Sequence, residues 1–165
     1  MSRRLDRAGR RTRSRDVRTD VPSPSYRNLV PQHLVDRVFS KFSKHGKPTV
    51  STALEEVVRF LQLGAAAPSS VFFPGDRLMD DIWHALITET AEYRELCSKI
   101  RPGFFLDHSG ITFEDYLRTK PATEVHEEQV SWLASYVHNY GPIGADSYRH
   151  LLLAQALSRR MKATR

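Results

Sequence analysis

The chain has 165 residues and a formal net charge of +6, which allows one domain with tails. Its single cysteine excludes an intrachain disulfide framework and any zinc knuckle built on two or four thiolates. No apolar run approaches the ~18 residues of a membrane span, so no membrane partner is expected.

The charge sits at the ends. Residues 1–20 carry eight arginines against three aspartates, and Arg159, Arg160, Lys162 and Arg165 crowd the last eight positions. Residues 21–157 hold 13 basic against 16 acidic side chains, which argues against a broad nucleic-acid face on the domain itself. Arg3, Arg4, Arg7, Arg10, Arg11, Arg13, Arg15 and Arg18 lie in a stretch with too few apolar residues to offset its ordering entropy, so a disordered tail is predicted. No aromatic residue interleaves these arginines. Only electrostatic contact remains open to them, with nucleic-acid phosphates or an acidic partner. The Arg10-Arg11 pair is followed by no hydrophobic segment, so an export signal is rejected and the cytoplasm is expected. Residues 21–25, Val-Pro-Ser-Pro-Ser, read as a stiff linker that completes a 1–25 tail.

From residue 26 to about 160 the periodicity predicts an all-α, single compact domain of five or six helices, followed by a basic end at 161–165. The first helix starts near Pro31, presents Leu34, Val35, Val38, Phe39 and Phe42 on one face, and stops at Gly46 and Pro48. The second spans about 50–63, capped by Thr49 or Ser51 and ended by Gly64, with Phe60 off its apolar stripe. Residues 65–76 form a loop whose Phe72-Phe73 pair either plugs the core or docks a partner. The third helix runs from about 77 to 100, and Phe104-Phe105-Leu106 is placed to return along it. Thr112 with Asp115 forms a capping-box pattern for a short fourth helix. A fifth has Val125, Trp132, Leu133, Tyr136 and Val137 inward. The sixth is capped by Asp146.

At 100° per residue, Met79, Ile82, Trp83, Leu86, Thr90, Tyr93, Cys97 and Ile100 fall on one stripe of the third helix. Cys97 thereby reads as a buried apolar residue rather than a reactive thiol. Asp80 and His84, one turn apart on the flank, form the candidate functional pair; a carboxylate there can fix the imidazole tautomer. His108 is a possible further polar residue of that site. Along a straight helix, His84 and Cys97 are ~20 Å apart, and His108 reaches His84 only through a fully extended segment. A common zinc site is therefore not expected, and no metal or cofactor is assigned. Motifs for a serine nucleophile elbow or a phosphate loop are missing, and no catalytic residue is named.

Phe60-Leu61-Gln62-Leu63, Pro68-Ser69, Asp80, Trp83-His84, Thr90, Tyr93, Cys97, Gly103, Phe105-Leu106 and His108 follow one another in a distinctive order. Over about residues 56–108 this resembles the glycine-rich domain-containing protein-like family. Members usually end the pattern with two histidines, where this chain has Asp107-His108, and residues 72–77 look inserted. The resemblance implies a helical module without a settled activity. The expected function is a non-catalytic interaction module that binds a protein partner, with the basic tail contacting acidic groups. Two alternatives are a nucleic-acid accessory protein acting through the tail arginines, and a ligand-binding or enzymatic site around Asp80–His84.

Overall fold

The computed structural model describes residues 24–67, 75–108, 110, 113–152, 154–156 and 159. The tail arginines, the Phe72-Phe73 pair, Thr112 and the basic end at 161–165 lie outside them. The described chain is all-α: α1 (Tyr26–Leu29), α2 (Gln32–Lys41), a 3-10 turn (Ser43–His45), α3 (Lys47–Ala66), α4 (Arg77–Thr88), α5 (Thr90–Ile100), α6 (Phe113–Thr119), α7 (Ala122–Tyr140) and α8 (Ala145–His150). Among the described residues the sole β-type pairing is an isolated bridge between Gly75 and Leu151.

The hub is α3, which packs against α1, α2, α4, α5, α7 and α8. Its Val50, Ala53, Leu54, Val57, Val58 and Leu61 are fully buried, and each large apolar side chain so removed from water contributes roughly 1.5–3 kcal/mol. The sequence stretch 80–108, which carries most of the distinctive residues, packs onto α3 through α4 and α5. Phe60, predicted to leave the stripe, does so and meets Trp83 edge-on at 5.4 Å between centroids.

The helix boundaries depart from expectation at several points. Pro48 starts α3 instead of terminating the preceding helix, since it lies in the first turn, where a missing N–H costs nothing. Gly46 (φ +78°) supplies the left-handed turn before it and is the N-cap, with no side-chain cap from Thr49 or Ser51. Gly64 does not end α3, which runs on to Ala66. A Cβ there would approach Phe104 and Leu106 at 4.0 Å, so the position is one where the returning segment lies close to the helix. Val137 points outward, 45% exposed, while Val125, Trp132 and Tyr136 are buried as predicted. Asp146 pairs with Arg149 at 3.1 Å and makes no cap bond; α8 follows Gly144.

The largest departure is that the long third helix is two helices. At Glu89 (φ −88°, ψ 68°) α4 stops and α5 begins. No glycine or proline marks the spot. The Thr88 hydroxyl donates to the Ala85 carbonyl at 2.9 Å, the Glu89 N–H reaches only back to Leu86, and the Glu89 carboxylate is drawn to Arg37 of α2. Side-chain competition for the backbone and a tertiary ion pair thus replace the next turn of helix.

Candidate functional site

The break at Glu89 builds the site. Trp83 and Tyr93 are ten residues apart, ~15 Å along a straight helix, yet the Trp83 indole N–H donates to the Tyr93 hydroxyl at 3.2 Å. That hydroxyl in turn donates to the Leu106 carbonyl at 2.9 Å. This relay pins residues 104–108 along the α4–α5 elbow, with Phe104 buried and Phe105 44% exposed. Burial pushes the Tyr93 phenol up, so it stays a neutral donor. Cys97 sits beneath the relay, fully buried, and burial raises its thiol too, against smaller opposing contacts from Leu106 and Tyr93. It is the core residue the stripe predicts.

Two residues beyond Leu106, His108 arrives beside His84. Their ring centroids are 4.5 Å apart at 65°, and the His108 ring is 5.5 Å from that of Trp83. The straight-helix distance that kept these histidines apart does not apply, because α5 folds back on α4 and shortens the path. Asp80, His84 and His108 therefore meet at one corner, and Cys97 does not join them.

The Asp80–His84 pair works differently from the carboxylate–imidazole arrangement anticipated. His84 Nδ1 lies 2.8 Å from the main-chain carbonyl of Asp80, whereas the Asp80 carboxylate is 3.5 Å away. A carbonyl only accepts, so Nδ1 carries the proton and Nε2 of the neutral ring carries the lone pair. Both side chains are nearly half exposed, at 45% and 47%, so the attraction between carboxylate and ring contributes at most ~1 kcal/mol. The carbonyl orients the ring without offering a proton sink, which leaves the pair short of a catalytic dyad.

Two polar clusters elsewhere escaped the sequence. On α3, Glu56 is 1% exposed and the Tyr136 hydroxyl spans both its oxygens at 2.9 and 2.8 Å. Arg59 donates to Glu56 at 2.8 Å and to the Tyr136 hydroxyl at 2.9 Å, with its guanidinium 5.0 Å from the Tyr140 ring centroid. Glu55 holds the Ser25 hydroxyl at 2.8 Å and the Tyr26 N–H at 3.1 Å, tying the four-residue α1 to α3. Burial pushes the Tyr136 phenol up to about 12, with Glu56 adding to the shift and Arg59 opposing it. The second cluster is Asp76 with the buried His150: Nδ1 and Oδ2 are 2.8 Å apart, and the other Asp76 oxygen caps α4 by accepting from Met79 N–H at 3.0 Å. This joins the start of α4 to α8. Spacing gave no signal for either cluster: Glu56 lies beyond the apolar stripe of α3, on the same flank as Phe60, and is buried because other helices pack there.

Among the described residues no group of three or more histidine, cysteine or acidic side chains could hold a metal ion, and no helix is long and apolar enough to cross a membrane. The chain matches no family model, no curated protein and no solved structure.

Proposed function

We propose that this chain is a non-catalytic helical binding module that docks a protein partner at the α4–α5 corner, with its arginine-rich tail adding attraction to acidic groups on that partner. The observation that carries this reading is Phe105. Its ring is 44% exposed, yet it is held in place: Tyr93 meets it edge-on at 5.5 Å and the Arg94 guanidinium lies 5.9 Å from its centroid. A held aromatic ring beside an arginine is the composition of an interface anchor, because it offers apolar area with little rotamer entropy left to lose. The neighbouring His84 and His108 supply a polar rim. The main-chain partner of His84 supports binding over acid–base chemistry.

The resemblance of residues 56–108 to the glycine-rich domain-containing protein-like family supports the same reading, and we propose membership in it on that pattern. The buried thiol of Cys97 fits a reducing compartment, and we assign the protein to the cytoplasm on that basis.

The test is photo-crosslinking with benzoylphenylalanine placed at position 105 or at exposed position 118 of the full chain. The reading expects a discrete adduct from position 105 alone, competed by unmodified protein and not by Phe105→Ser. No adduct, or the same adduct from both positions, contradicts it. Salt-sensitive binding to a DNA or RNA oligonucleotide that vanishes when residues 1–20 are deleted would support the nucleic-acid reading instead.

A further inference from the structure

We infer that His84 and His108 form a two-imidazole site for a borderline transition-metal ion, of the class of Cu²⁺, Ni²⁺ or Zn²⁺. Two histidines bound side by side to one ion through nitrogens at ~2.0–2.1 Å place each ring centroid ~3.2 Å from the metal. At angles of ~90–109° their centroids are then ~4.5–5.2 Å apart by that geometry. The observed 4.5 Å lies at the edge of this range, so the separation of the two rings matches that of imidazoles sharing an ion.

The state of His84 is a second, separate observation. Its Nδ1–H is given to the Asp80 carbonyl at 2.8 Å, which leaves Nε2 as the ligating atom. Donation of the other ring N–H to a main-chain carbonyl or carboxylate is what orients metal-binding histidines generally. The Asp80 carboxylate, 3.5 Å from the same nitrogen, adds negative charge behind the ring. Among the described residues no hydrogen bond engages either nitrogen of His108. With no third protein ligand in that set, water completes the coordination. Imidazole ligands suit these ions, and the order of divalent affinities places Cu²⁺ first. The site goes beyond the docking reading and needs no partner, so its test runs on the isolated protein and its failure leaves that reading standing.

Trp83 makes the site visible. Its ring is 5.5 Å from His108 and 6.2 Å from His84, close enough for bound Cu²⁺ or Ni²⁺ to quench its emission. The experiment titrates the full chain with copper(II), nickel(II) and zinc(II) chlorides, read by tryptophan fluorescence for the first two and by calorimetry for all three. Saturable one-to-one binding is expected, tightest for Cu²⁺, with quenching. Either His84→Ala or His108→Ala should weaken it by about tenfold or more, since even outer-shell changes cost ~10–100-fold. The exposed-histidine control His45→Ala should leave it unchanged, and circular dichroism confirms that each variant is folded. Absence of saturable binding overturns the proposal. So does binding that survives both corner substitutions, because the ion then sits elsewhere.

Discussion

The α3–α7 cluster and the histidine corner are both built from charged and aromatic side chains, and they behave in opposite ways. Around Glu56 the groups are closed on one another: Tyr136, Arg59 and the buried carboxylate satisfy each other's hydrogen bonds. Among the described residues no buried side-chain nitrogen or oxygen lacks a partner. At the corner, His84 spends one nitrogen on the main chain and its side chain stays nearly half exposed. A closed polar cluster specifies packing, and its loss leaves a buried charge uncompensated. An open one costs little to keep and is available to a ligand.

Substitutions that separate stability from binding will sharpen this contrast. The largest expected effect is Glu56→Ala, which takes the buried carboxylate from both the Tyr136 hydroxyl and Arg59 and leaves Arg59 with Glu55 at 3.7 Å as its remaining carboxylate. It should cost about 3–5 kcal/mol by denaturant unfolding, the usual loss when one partner of a buried pair is removed. The same cluster gives a pH signature. The Tyr136 phenol is raised in the folded chain above its free value of ~10. Its contribution to stability is therefore complete below pH ~10 and lost as pH rises through the folded value of about 12. Tyr136→Phe should remove one proton's worth of slope from the stability profile in that window.

Next comes the Asp76–His150 link. Asp76→Ala removes both a helix cap and the partner of a buried imidazole, and should cost about 1–3 kcal/mol. The cost of the double variant with His150→Ala should fall short of the sum of the singles, because both break one contact. Smallest is the effect of His84→Ala or His108→Ala, expected within ~0.5 kcal/mol of the parent as for exposed positions elsewhere. A large loss of stability there would erase the distinction between the two regions.

Much of the fold was legible. Proline, glycine and the apolar stripes marked α2, α3, α6 and α7 to within a few residues, and the same stripes placed Cys97 and Phe60 correctly. The elbow at Glu89 was not legible because no glycine or proline marks it, and the ion-pair partner of Glu89 lies on another helix. Thr88, Glu89 and Thr90 are unremarkable in a helix until Arg37 of α2 pulls on the carboxylate. Missing that break turned the neighbouring residues Trp83 and Tyr93 into distant ones and kept His108 away from His84. The four-residue α1 is too short for a period and exists because Glu55 anchors it. His150 offered no pattern at all, since its partner Asp76 is distant in sequence and looked like an ordinary loop acid. Polar residues that meet only through the fold carry no periodic signature.

The fold between α4 and α5 at Glu89 brings the two imidazoles into contact, and nuclear magnetic resonance of the full chain tests this directly. Nuclear Overhauser contacts between the ring protons of His84 and His108, with His84 protonated on Nδ1 in long-range ¹H–¹⁵N spectra of the neutral ring, are the predicted result. Continuous helical contacts through residues 86–93, with no contact between the two rings, would contradict it.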